Sequence, residues 1–325
     1  MTSAMTVGVV GAGLMGSEIA LTFALAGHPV VLADRSSEAL AAALERLQGV
    51  YERGVQRGAL PAAERDAAFG RLSTTTDLSG MAACGFVTEA VFEQQSVKAA
   101  VFRDLDAHCR PDCILATNTS TIPISVLAAE VSPARRPRFL GTHYFSPVTR
   151  MKLVEVIPAF ETAREVVEAT LALCHAIGKT PIEIKDVAGF AVNRLLHAFM
   201  IEAVRLVEEG VATPADIDTA CRLGLGHPVG PFELMDATTS SLCLQVQEIL
   251  QDAYGERFRP RPLLKQRVKA GYVGGRGKPG WRRCRGPHPA LCWILQTSTV
   301  EGSACAPSAL RRSCPPSPST GRPRS

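Results

Sequence analysis

The stretch MTVGVVGAGLMGSEIALTFALAGHPVVLAD, Met5–Asp34, decides the fold. Val7, Val9 and Val10 make the short apolar run of a buried parallel strand. Gly11, Gly13 and Gly16 then complete a G-x-G-x-x-G pattern that opens onto the helical stretch Ser17–Ala26. Each glycine has a separate physical task. Gly11 permits a sharp turn, Gly13 removes the Cβ that would block a pyrophosphate, and Gly16 lets the helix lie close to the strand. The helix N-terminus adds N–H donors and positive dipole for an anion. A second apolar run, Val30–Ala33, ends in Asp34, 18 residues past Gly16, where a carboxylate accepts hydrogen bonds from an adenosine ribose diol. Together these elements predict a dinucleotide-binding unit. Asp34 repels a 2′-phosphate, so the expected cofactor is NAD rather than NADP, with Arg35 beside it as the opposing charge.

Outward from this unit, 325 residues are enough for two domains, and 46% hydrophobic with 20% charged residues describes a globular chain. No apolar run reaches the length of a membrane span, and the first strand starts too early for a signal peptide, so a cytoplasmic protein is expected. The formal charge of +4 is misleading, because residues 276–325 hold nine Lys or Arg against Glu301 alone. Without that segment the body carries −4, which argues against a nucleic-acid partner. Six cysteines outside the segment show no C-x-x-C spacing, so neither a metal site nor a disulfide frame is expected.

Strand-like and helical stretches alternate along the first part of the chain. Strands are expected at Leu72–Thr75, Gly85–Thr88, Ile114–Thr117, Phe139–His143, Lys152–Ile157 and Pro181–Lys185, with helices between them. That alternation predicts an α/β fold, a Rossmann-type doubly wound sheet over residues 1–188. From Gly189 the pattern is helical only: Phe190–Gly210, Pro214–Leu223, Thr238–Tyr254 after a Gly-Pro-Phe turn, and Leu263–Ala270. This predicts a smaller all-α domain over 189–274.

Ligands of open α/β sheets bind beyond the carboxyl ends of the strands. Asn118-Thr119-Ser120 follows one such end, and Gly141-Thr142-His143-Tyr144-Phe145-Ser146-Pro147 spans another. Twelve residues after His143, Glu155 shares a strand face with Leu153 and Ile157. A carboxylate in that company needs a partner, and His143 is the natural one. A His–carboxylate pair fixes one imidazole tautomer and stabilises the imidazolium, as a general base requires. Singly, the histidine reads as structural, the glutamate as an edge residue and Ser120 as a turn former; their combination behind a dinucleotide fold points to chemistry.

Over residues 5 to about 274 the sequence resembles the L-3-hydroxyacyl-CoA dehydrogenases, and among them the compact 3-hydroxybutyryl-CoA dehydrogenases. The resemblance rests on GAGLMG, TEAVFE at 88–93, Asn-Thr-Ser at 118–120, HYFSPV, MKLVEVI, GFAVNRLL at 189–196 and GPFEL at 230–234. It implies reversible NAD-dependent oxidation of a short-chain L-3-hydroxyacyl-CoA to the 3-oxoacyl-CoA, as in fatty acid β-oxidation. It also implies an acyl-CoA partner and a homodimer formed through the helical domain. Position by position, it makes His143 the catalytic base, Glu155 its carboxylate partner, Ser120 a hydroxyl on the substrate oxygen near the nicotinamide, and Asn193 an amide completing the site. Glu93, Lys98 and Ser146 match cofactor contacts, and Arg57 falls where a basic residue lies near the coenzyme A phosphates. Ser146 replaces the asparagine frequent in the family. Two other readings compete: a non-catalytic, crystallin-like NAD-binding protein, and a dehydrogenase of a free hydroxy or sugar acid. Intact Ser120, His143, Glu155 and Asn193 oppose the first, and HYFSPV followed by MKLVEVI opposes the second.

Residues 275–325 depart from the family pattern. They combine eight prolines and eight arginines in 276–325 with no helical or strand period, and cannot bury enough apolar surface to offset ordering entropy. A natural disordered tail and a basic arm are alternatives to the favoured expectation, an unstructured product of a frame shift near codon 275.

Overall fold

Eight strands form one sheet: β1 (Val7–Val10), β2 (Val30–Ala33), β3 (Leu72–Thr75), β4 (Phe86–Glu89), β5 (Ile114–Thr117), β6 (Phe139–Tyr144), β7 (Leu153–Pro158) and β8 (Thr180–Glu183). The computed structural model describes residues 5–56, 61–275 and 277–282. The strand order is β3-β2-β1-β4-β5-β6-β7-β8. Every neighbouring pair is parallel except β6 and β7, which run antiparallel. Strand order reverses beside β1, so the crevice of a doubly wound sheet opens at the glycine turn.

Alternation along the strands divides the core between the two faces of the sheet. Val7, Val9, Leu32, Ala116, Val154 and Val156 pack with Ile19 and Phe23 of α1 (Leu14–Leu25), Leu40 of α2 (Ser37–Gln56) and Val166 of the later helix Arg164–Ala176. Helix α3 (Ala62–Phe69) lies against α1. On the other face Val87, Leu115, Phe139 and Ile157 meet Phe102 and Leu105 of α4 (Gln95–His108) and Leu127 of α5 (Ile124–Ala128). Helix Arg164–Ala176 is α6. Strands covered on both sides read as nearly continuous apolar runs, which is why they were recognisable.

Helices α7 (Val192–Glu208), α8 (Pro214–Gly224), α9 (Pro231–Thr238), α10 (Ser240–Tyr254) and α11 (Pro262–Lys269) follow. Met200, Val204, Ile217, Phe232, Met235, Cys243 and Leu264 make their shared core. Helix α9 corrects the expected Gly-Pro-Phe turn. Pro231 begins the helix instead, and Glu233 accepts from the Gly230 amide at 3.1 Å. Proline at the first helical position lacks only an N–H that would have had no helical partner.

The start of the expected unstructured tail also needs correction. Trp281 is buried, its ring 4.9 Å from that of Phe232. Its indole N–H donates to Ser240 Oγ at 2.9 Å and its amide to Asp236 Oδ1 at 2.8 Å. A Cβ on Gly280 would lie 2.1 Å from Asp236 Oδ1, so any other residue there must displace that carboxylate. Arg282 pairs with Glu233. Residues 277–282 thus pack on the helical domain and are not the unstructured start of a tail. Residues 283–325 lie outside the described residues.

Candidate active site

Gly11 takes φ +104°, and a Cβ there would sit 2.7 Å from the Ala90 carbonyl oxygen. A Cβ on Gly16 would fall 1.8 Å from the Gly11 carbonyl oxygen, so the α1–β1 approach demands glycine. At Gly13 a Cβ would meet no atom of the described residues within 4 Å: this side of the turn is open at the N-terminus of α1. Asp34 lies across that opening, its Oδ2 accepting from the Ala12 amide at 2.8 Å and its Oδ1 from the Ser36 amide at 3.1 Å. An open cradle, a helix N-terminus and a carboxylate beside it fit a dinucleotide with an unmodified ribose.

Farther along the same sheet edge, His143 of β6 is the register partner of Glu155 on β7. Opposite residues of an antiparallel pair present side chains to one face, about 5 Å apart. The His143 Nδ1···Glu155 Oε2 distance is 2.7 Å, and His143 Nε2 lies 2.9 Å from Ser120 Oγ. Both His143 and Glu155 are buried. Glu155 Oε1 accepts the amides of Ala191 and Val192, each at 3.0 Å, at the start of α7. A buried carboxylate is thereby satisfied by one imidazole, two amides and the positive end of a helix. With a carboxylate at Nδ1 the proton belongs there, leaving the Nε2 lone pair directed at Ser120. Phe145 and Phe190 enclose the imidazole, with ring centroids 4.6 and 5.5 Å away.

Ser120 is placed by Glu93, whose Oε1 accepts from Thr119 Oγ1, the Ser120 amide, the Thr121 amide and Thr121 Oγ1 at 2.5–3.0 Å. Burial works to raise the Glu93 carboxyl, but Lys98 and these donors hold it below the usual carboxylate range. Lys98, expected as a cofactor contact, is fully buried, its ammonium 2.7 Å from Glu89 and 3.3 Å from Glu93. Glu89, at the end of β4, also accepts from Thr117 Oγ1 at 2.8 Å and the Val91 amide at 2.6 Å. Burial pushes its carboxyl up, and Lys98 is the largest opposing influence.

Asn193 is the second residue of α7 and adjoins Val192, the amide held by Glu155. Ser146 is exposed in the loop after β6. Arg57 lies outside the described residues. Glu89 and Phe190 were not singled out from the sequence. Glu89 had a legible signal, an acid ending an apolar strand; Phe190, with φ 47°, had none.

The family model described as 3-hydroxyacyl-CoA dehydrogenase, NAD binding domain, matches residues 6–187, and its C-terminal domain matches 189–283. The probable 3-hydroxybutyryl-CoA dehydrogenase of Deinococcus radiodurans is 39% identical over 282 residues, 85% of this chain and 99% of that protein. Its Bacillus subtilis counterpart is 40% identical over 273 residues, 83% of this chain and 94% of that protein. The crystal structure of (S)-3-hydroxybutyryl-CoA dehydrogenase from Ralstonia eutropha superposes with a TM-score of 0.82 at 36% identity, covering 86% of this chain and 98% of that one. This chain, with its NAD-binding domain first and its helical domain second, belongs to the 3-hydroxyacyl-CoA dehydrogenase family.

Proposed function

We propose that the protein oxidises a short-chain L-3-hydroxyacyl-CoA, of 3-hydroxybutyryl-CoA size, reversibly to the 3-oxoacyl-CoA, in keeping with a role in fatty acid β-oxidation. The observation that carries the reading is the Ser120–His143–Glu155 chain of hydrogen bonds on the sheet edge that also holds the glycine cradle. Gly11, Gly13, Gly16 and Asp34 would hold NAD, which supplies the hydride acceptor when bound. His143 Nε2 takes the proton of the 3-hydroxyl as the C3–H bond breaks, and the imidazolium so formed is stabilised by Glu155. Ser120 and Asn193 orient the substrate oxygen, and Phe145 and Phe190 limit water around the imidazole. General-base catalysis of this kind contributes about 10²–10⁴-fold, with positioning adding more.

A homodimer through the helical domain accompanies this reading. Leu195, Val211, Leu223 and Leu225 are exposed there and would contribute apolar surface to such an interface. Among the described residues no helix is long and apolar enough to cross a membrane, in keeping with a cytoplasmic enzyme. NADH oxidation with 3-oxoacyl-CoA thioesters of four to sixteen carbons tests the function. Turnover is expected to be fastest at the short end. Absence of turnover with every thioester, alongside normal NADH binding, would instead support the crystallin-like alternative.

A further inference from the structure

Outside the dyad and the Glu89–Lys98–Glu93 cluster, another carboxylate is buried beside the dinucleotide cradle. Glu18 lies on α1, one turn past the glycines, and is 8% exposed. Its Oε2 accepts the amide of Val148, a fully buried residue in the segment that follows His143. The carbonyl of Val148 is held from elsewhere in the fold. Lys179, just before β8 and also buried, donates its ammonium to Val148 O and, at 2.9 Å, to Met151 O. Both polar groups of one peptide-bearing residue are therefore fixed by buried charges from separate elements.

A third charge links this arrangement to the cradle. Arg46 of α2 donates to the carbonyls of Ala12 and Gly13, each at 3.3 Å, and to Ser17 Oγ at 2.9 Å. Burial pushes the Glu18 carboxyl up, and the Val148 amide, then Arg46 and Lys179, oppose that rise. One network thus runs from the glycine turn, through α1, to Phe145–Met151. That segment carries Phe145, which packs on His143, and Ser146. Burying the charges of Glu18 and Lys179 is unfavourable unless the geometry is excellent, and an apolar contact would stabilise the fold equally well. What an apolar contact lacks is direction, since only a hydrogen-bonded charge fixes one amide to one position.

We propose that Glu18 is a positioning residue for the dehydrogenase reaction: by holding Val148 it fixes the segment beside His143 against the helix that receives the dinucleotide. This inference rests on the proposed dehydrogenase function. Its consequence is that cofactor binding and imidazole placement depend on the same carboxylate, although Glu18 touches neither.

Three variants of the full chain, Glu18→Gln, Glu18→Ala and Glu18→Ala/Lys179→Met, test this against wild type. The readouts are thermal midpoint, NADH affinity from fluorescence titration, and kcat and KM with 3-oxobutyryl-CoA. Glu18→Gln keeps an acceptor for the Val148 amide and is expected within about threefold of wild type in both affinity and kcat. Glu18→Ala is expected to weaken NADH binding and to lower kcat, each by about tenfold. It also leaves Lys179 without its buried counter-charge, so its midpoint falls. The double variant removes that charge imbalance but leaves the Val148 and Met151 carbonyls without their ammonium donor, so it is expected to recover only part of the midpoint and to keep the defects in NADH affinity and kcat. Recovery of all three quantities together would mean that Glu18 serves stability alone, and would overturn the proposal. Wild-type NADH affinity and kcat in Glu18→Ala, measured well below its midpoint, would overturn it equally. The NADH titration requires no turnover, so failure of the wild-type chain to reduce the thioester is a separate result that counts against the proposed function.

Discussion

Glu155 meets His143 as its direct cross-strand partner on β6 and β7, and with its other oxygen closes the N-terminus of α7. A single carboxylate orients the proposed base and docks the first helix of the helical domain, next to Asn193. His143 and the start of α7, which carries Asn193, are thus held by the same side chain.

This double engagement predicts an unusual outcome for Glu155→Gln. An amide nitrogen facing the Ala191 and Val192 amides would set donor against donor, so the amide oxygen is expected to stay on α7. The NH₂ group then faces His143 Nδ1 and forces the proton to Nε2, where the base must have a lone pair. We expect kcat to fall by about 10²–10⁴-fold with little change in unfolding free energy. Glu155→Ala is expected to lose both activity and stability. A Gln variant with more than about a tenth of wild-type kcat would count against the assigned proton position.

Asp34 is expected to set the cofactor preference. Its carboxylate is held against the glycine turn by the Ala12 amide, where a 2′-phosphate would be repelled. Wild-type kcat/KM is expected to favour NADH clearly over NADPH, and Asp34→Asn to narrow the ratio by about tenfold. A charge pair about 4 Å apart is worth roughly 1–4 kcal/mol across the range from water to a protein surface. Equal use of both cofactors by wild type would show that Arg35 dominates instead.

His197 on α7 gives the helical domain an acid sensitivity. It is buried, its Nδ1 has no hydrogen-bond partner among the described residues, and burial lowers its pKa to about 4 from an ordinary 6.5. Between those values the unfolded chain binds the extra proton, so stability is lost as pH falls from about 6.5 towards 4. The loss attributable to this one group approaches about 3 kcal/mol. His197→Leu is expected to gain on wild type progressively over that range in urea unfolding at stepped pH. A constant difference between the two proteins would refute the assignment.

Trp281 anchors the last described segment. Trp281→Ala removes a buried ring packed on Phe232 and is expected to cost about 3–5 kcal/mol. Trp281→Phe keeps much of the packing and loses chiefly the bond to Ser240 Oγ, about 1 kcal/mol. Denaturant unfolding distinguishes the two; near-equal small effects would mean that the segment contributes little to the domain.

The glycine cradle was legible in the sequence because it is local. Turn, helix start and close packing are all dictated within six residues, and buried parallel strands announce themselves as apolar runs. The His143–Glu155 pair was partly legible, since a glutamate between apolar strand residues requires a partner. Only the antiparallel register of β6 and β7 makes that partner His143, and register depends on pairing between distant segments. The same limit applies to Lys98, expected as a cofactor contact, and to Glu18, which no motif singled out: the fold buries them against Glu89 and Val148. Trp281 is the converse case: among glycines, prolines and arginines it suggested no structure, and a pocket built from Phe232, Asp236 and Ser240 gives it one. Short-range sterics and periodicity are written in consecutive residues. Which buried charge meets which partner is decided by segments up to 130 residues apart, and only the tertiary structure brings them together.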